Sequence, residues 1–457
     1  MNFERDHKLC FDKLTWAMGQ LGVAVGEKEL SKIADLIVQT MTGPWRYFHT
    51  PDHIFEVGGS ANAIEVLAAL FHDLVYVQVD QSVNFNLTYY ISPFIRDIQD
   101  HLYIRDQEDL PDDPMFDLVI GVFGFKPGQQ LSPFAGQNEF LSALVCARVL
   151  VSFLHPSLIL QIVTCIEATI PFRPAVEGKT AADRLYENIQ TVNQDFQLGL
   201  SEGELIESVQ RAVRMANRDV GSFAHPSSAR FLDNTWSLLP ETNHNLKNPS
   251  SYTVIEYRVA LQKMEGFMNF LRPELVFQQF KGEPPNQRYH SLLERAGRNI
   301  AIARIYLGSK LFTMAVLEAL SRRFGRNIPL STIMGEFNPH GLPIEKLEDF
   351  LPDVPLKVSM EDPLEQEILG LLEKGRFSSS SYDIKNSPLT TLIVKIMGFQ
   401  EISDLLDQAK AFFKDEISNE EFLALCNPEV VRIITESLSK LFDSRKAALL
   451  QMAKVAS

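Results

Sequence analysis

Apolar residues recur in this chain at intervals of three and four, and that spacing restricts it to helices more than any other feature does. Leu30, Ile33, Leu36, Ile37 and Met41 draw one such stripe, beginning just after the charged run Glu27 to Glu29. Leu158, Ile159, Ile162, Val163 and Ile166 draw a second, with Pro156 tolerated near its first turn because that position needs no amide donor. Similar patterning predicts helices around 138–153, 202–217, 252–270, 287–323 and 427–450. Strict alternation, the mark of half-buried strands, is scarce, so the expected fold class is all-α.

With 457 residues the chain exceeds what one compact core usually holds. Glycines and prolines crowd between Gly325 and Pro363, which predicts a division near 325: residues 1–325 as one domain and 326–457 as an added C-terminal helical region. The run Ser378 to Ser381 reads as a loop. No repeat at a solenoid period is visible.

Charge narrows the function classes. The formal net charge is −15, which disfavours long nucleic acid and anionic membrane as partners, since both need a basic surface. A small phosphorylated molecule remains compatible through a local pocket. The uncharged stretch Val149 to Ile166 is broken by His155-Pro156, so it reads as two buried helices joined at a turn and not as a membrane span. The polar start MNFERDHKLCFDK lacks the features of a secretory signal. Cys10, Cys146, Cys165 and Cys426 form no CxxC pair, and most sit among apolar neighbours, as reduced buried thiols do. Together these features predict a cytoplasmic protein.

Three of the ten histidines fall close together. His49 and His53 are four apart in RYFHTPDHIFEV, on one face of a helix or at its start. His72 and Asp73 stand side by side within LAALFHDLVYV, where an ionic pair is costly to bury without a partner. A cation is one such partner. Imidazoles and carboxylates together suit a divalent ion of the Mn, Fe, Zn, Ni, Co or Mg kind, one or two in number.

RYFHTPDHIFEV followed by ALFHDLVY resembles the HD-domain phosphohydrolases, in particular the bacterial predicted metal-dependent HD hydrolases, over about residues 43 to 240. More distantly it is similar to the cyclic-nucleotide phosphodiesterases. The resemblance implies an HD-type helical bundle and the hydrolysis of a small phosphate ester. It also implies metal ligation by His53, His72, Asp73 and a distant aspartate, with His49 as the general acid. Asp219, in RMANRDVGSFA, is the best match for the distant ligand; Asp183 and Asp195 are alternatives in more polar surroundings.

Further residues have two readings each. Arg46, Asn217 and Glu167 are candidates for substrate binding; Arg46 suits a phosphate, but equally the fixing of a loop, and Asn217 suits the Asp219 carboxylate as well as the substrate. Tyr47 shares that choice. Glu56 is either an acceptor orienting His53 or an exposed helix carboxylate. Thr169 and Arg173 either line the pocket or cap the helix before them, and His225 lies near enough to Asp219 in sequence to enter the site. Gly58-Gly59 points to a close helix approach or a helix end. The alternative function is a catalytically silent HD-fold protein that binds a partner or small ligand, with the segment after 325 serving partners or homo-oligomerisation.

Overall fold

A computed structural model of the chain describes residues 2–247, 252–323, 325, 328–334, 345–380 and 382–455. The fold is all-α: helices dominate, and the sheet among the described residues is one two-stranded hairpin. The predicted helices appear as Gln137–Leu150, Glu202–Asp219, Val254–Phe270, Asn286–Ser321 and Pro428–Val455. Within Val149–Ile166 one helix ends at Leu150 and the next begins at Pro156, with His155 as its N-cap. The Asn286–Ser321 helix is long and apolar enough to cross a membrane, but 83% of its most apolar window is buried inside the protein, as in a core helix. Ser378–Ser380 lies outside helices, and Ser381 is outside the described residues.

The chain forms two compact units. The first comprises Met1–Ala224 and Arg272–Gly297; the second comprises His225–Leu271 and Arg298–Ser457. Contacts therefore cut the chain inside the long Asn286–Ser321 helix and not at residue 325, where the composition predicts the boundary. Part of the glycine- and proline-rich stretch, including Gly335, Pro339, Gly341 and Pro343, lies outside the described residues.

The first unit is built around the Ala63–His72 helix, every residue of which is buried. Helices Phe3–Gln20, Pro51–Gly58, Gln137–Leu150, Pro156–Ala168 and Glu202–Asp219 all pack on it. A helix buried on every face needs such a surround, and its one carboxylate, Glu65, is paired with Arg214 and Arg218. Its start is fixed by Asn62, whose side chain accepts from the amides of Ile64 and Glu65. The turn before it depends on glycine. A Cβ on Gly58 would lie 3.2 Å from Ala69 Cβ, and Gly59 adopts φ +62. Close helix approach and helix end are thus both present. Strands Ile95–Ile98 and His101–Ile104 pair antiparallel at the edge, joined by Gln99-Asp100 with positive φ at both positions.

The second unit has its own core, in which Trp236 is fully buried. Its indole Nε1 donates to Asp383 at 2.7 Å, and Lys310 donates to the same carboxylate at 3.0 Å. Cys10, Cys146, Cys165 and Cys426 are all buried and unpaired, and burial pushes the Cys165 thiol up to about 12.

Candidate metal centre

Three elements of the first unit carry the site. His53 lies in the first turn of the Pro51–Gly58 helix, whose N-cap is Thr50 and whose first residue is Pro51. His72 is the last residue of the Ala63–His72 helix, with Asp73 as its C-cap. Asp219 ends the Glu202–Asp219 helix. Chain direction and helix length thus bring a first turn and two C-terminal ends to one point.

At that point His53, His72, Asp73 and Asp219 each offer a ligand atom, and these atoms all lie within 4.8 Å of one another. His53 Nε2 is 3.0 Å from Asp219 Oδ1 and 3.4 Å from Asp73 Oδ2. His72 Nε2 is 3.0 Å from Asp73 Oδ2 and 3.5 Å from Asp219 Oδ1. Donors bound to one shared ion stand about 3–4 Å apart, given metal–ligand distances of about 2.0–2.2 Å. Asp183, the alternative fourth ligand, is engaged elsewhere, where its carboxylate closes a capping box with Thr180.

The hydrogen bonding around the group suits a cation. His72 Nδ1 lies 2.8 Å from the carbonyl of Ala69, and a carbonyl only accepts, so Nδ1 carries the proton. In the neutral imidazole the lone pair is then on Nε2, facing the carboxylates. His72 Nε2 and Asp73 Oδ2 are buried yet have no hydrogen-bond partner of acceptable geometry. Buried polar atoms are seldom left so, and a shared ion would satisfy both at once.

Charge is concentrated here. Burial opposes protonation of His53, but the Asp219 and Asp73 carboxylates outweigh it and raise its pKa to about 9. The same contest, won by Asp73 and Asp219, raises His72 well above the ordinary histidine value. Burial works against ionisation of Asp219, but His53 and His72 hold it down at about 2. His72, His49 and His53 depress Asp73 in the same way. Without a metal the group is a compact double ion pair.

His49 sits just before the first helix. Its ring centroid is 5.7 Å from that of His53 and 4.4 Å from that of Tyr76, edge-on to both. It is therefore beside the four-residue group.

The expected substrate contacts are placed differently. Arg46 is buried, and its guanidinium is fully engaged inside the protein. It donates to Asp80 at 2.7 and 3.1 Å, to the carbonyl of Asp73 at 2.6 Å and to that of Leu74 at 3.0 Å. Arg46 fixes the backbone at and after the His-Asp doublet. Asn217 is also engaged, donating to the Gln278 carbonyl at 2.9 Å and accepting from the Gln278 amide at 2.8 Å. Glu167 is buried and accepts from both ends of the Arg173 guanidinium, at 2.5 and 3.1 Å. Its first role is to hold Arg173. Thr169 bonds back to the Ile166 carbonyl as a helix end does. Glu56 is exposed, and His225 belongs to the second unit, where it accepts from the Ser227 amide.

One residue near the group escapes the sequence. Glu139, in the first turn of the Gln137–Leu150 helix, lies within electrostatic reach of Asp73, Asp219 and Arg173. An acidic residue at that position reads from sequence as a contribution to the helix terminus and nothing more. Comparison with protein-family models, with curated proteins and with solved structures gives no match.

Proposed function

We propose that this chain is a metal-dependent phosphohydrolase of the HD type, with His53, His72, Asp73 and Asp219 as ligands of a divalent cation. The observation that carries this reading is the convergence of four ligand atoms from three separate helices within 4.8 Å. The resemblance of RYFHTPDHIFEV and ALFHDLVY to that family supports it independently.

A bound cation lowers the pKa of water and polarises a phosphoryl oxygen, which is the chemistry hydrolysis needs. The chain supplies the rest. His72 is held in one tautomer by Ala69, and Arg46 fixes the backbone carbonyls of Asp73 and Leu74, so the doublet keeps its geometry. His49, beside His53, donates a proton to the leaving oxygen of a small phosphate ester. Metal analysis and phosphate release, measured in parallel on the wild type and on His72→Ala and Asp73→Ala, test this. Both signals should be present in the wild type and absent from both variants.

A metal-holding protein without turnover is the second reading. It draws on the engagement of Arg46 and Asn217 in hydrogen bonds inside the protein. Bound metal without hydrolysis of any phosphoester would favour it.

A further inference from the structure

Glu139 is the acidic group beside the centre that the ligand set leaves unused. Its Oε2 atom is buried and has no hydrogen-bond partner, although the residue as a whole keeps some exposure. The nearby cation only partly offsets it: both terminal nitrogens of Arg173 are bonded to Glu167, and the guanidinium draws the Glu139 pKa down by less than burial raises it. The helix that carries Glu139 is also tied to the metal motif. Ser142 Oγ accepts from the Val75 amide at 3.0 Å, and Asn138 Oδ1 accepts from the Val77 amide at 3.1 Å. Glu139 is thus mounted on an element clamped to the segment that follows His72-Asp73, with one oxygen open.

An open, buried carboxyl oxygen is an acceptor waiting for a donor, since a buried acceptor left unpaired is costly. A water molecule or a substrate hydroxyl beside the centre is such a donor. We propose that Glu139 is the proton acceptor of this centre: its Oε2 holds the attacking water and takes its proton as the water oxygen bonds to phosphorus. The bond from phosphorus to the leaving oxygen breaks in the same displacement, and that oxygen keeps the electron pair and receives a proton from His49. Glu139 then returns its proton to solvent and His49 regains one, so the cycle closes without a further reactant. The carboxyl is suited to the exchange. Burial raises it, its own backbone amide opposes that, and Asp73 adds to the rise, leaving it at about 7.

This role rests on the phosphohydrolase reading, and one experiment separates the two. Wild type, Glu139→Gln and Glu139→Asp are loaded with Mn, assayed for metal content and thermal unfolding, and tested against bis(4-nitrophenyl) phosphate and 4-nitrophenyl phosphate. The Gln variant should keep its metal and its unfolding temperature, lose about 100-fold or more in kcat, and lose the acidic limb of the pH profile. The Asp variant, which retains a carboxyl, should keep more of kcat than Gln and keep that limb; should Gln unfold, the Asp profile carries the test. Unchanged kcat and pH profile in a metal-loaded Gln variant would overturn the role alone. Loss of metal from Gln would overturn it too, by making Glu139 a ligand. A metal-loaded wild type that cleaves neither ester would overturn the phosphohydrolase reading, and the role of Glu139 with it.

Discussion

Arg218, half-buried, and Glu65, buried, form an ion pair, 2.5 Å between Nη2 and Oε2, that joins the helix ending in Asp219 to the helix ending in His72. The same arginine donates through Nε to the carbonyl of Val57 at 2.7 Å, on the helix that carries His53. Arg214 adds a second contact to Glu65 at 3.2 Å. One cation thus ties together the three elements that bring the ligand atoms to one point.

Removing that tie should loosen the centre without touching a ligand. Arg218→Ala is expected to lower metal affinity about 10–100-fold, the range seen when groups supporting metal ligands are lost. A chelator competition titration measures this. An affinity equal to the wild type would show that Asp219 is positioned by helix packing alone.

Arg46 tests structure against recognition. Its side chain is fully buried and paired with Asp80, so Arg46→Met should cost about 3–5 kcal/mol of stability in a denaturant titration. Among the molecules that remain folded, the KM for a phosphoester should be unchanged. A raised KM with unaltered stability would return Arg46 to the substrate.

Metal and protons compete for the same atoms. In the metal-free protein the His53 pKa stands at about 9 and that of His72 is raised, so both imidazoles are charged at neutral pH. Metal uptake must release those protons, and affinity should therefore rise with pH up to about 9. Calorimetry in buffers of different ionisation enthalpy should report about two protons released per ion near pH 7; release of none would contradict a pair of charged imidazoles. The sign for stability follows from the same shift. A raised histidine pKa stabilises the metal-free fold fully below about 6.5. That contribution fades as pH rises through about 9. The depressed Asp219 contributes above about 4, its ordinary range, and loses its effect as pH falls through about 2.

Gly58 sets the distance between the helices of His53 and His72. A Cβ there would meet Ala69 Cβ at 3.2 Å and Val66 Cα at 3.4 Å. Gly58→Leu should cost about 1–3 kcal/mol by overpacking, and it should weaken metal binding by moving the two imidazoles apart. Thermal unfolding and metal content of the same sample check both effects.

Much of this was legible in the residues. The apolar spacing marks the main helices, because a helix that buries one face must repeat at three and four, and the His-Asp doublet stands out as charge inside an apolar run. The hairpin Ile95–Ile104 was not legible: its strands are short, and its turn uses Gln99 and Asp100 in place of the asparagine and glycine that would announce it. The division into units was hidden because the second unit is assembled from His225–Leu271 and Arg298–Ser457, which are not contiguous in sequence. Arg46 keeps two readings in sequence for a chemical reason, since a guanidinium that would grip a phosphate grips Asp80 and two carbonyls equally well. Glu139 carries no sequence signal, because only the fold brings it within electrostatic reach of Asp73 and Asp219.

Cation binding by the four-residue group is tested by the metal content of the protein after loading with a divalent cation and removal of excess, read by elemental analysis with an anomalous diffraction map. One or two ions per chain are expected in the wild type, with density among His53, His72, Asp73 and Asp219, and loss of both from His72→Ala. A wild type that holds no ion there, or a His72→Ala variant that keeps its full complement, would contradict it.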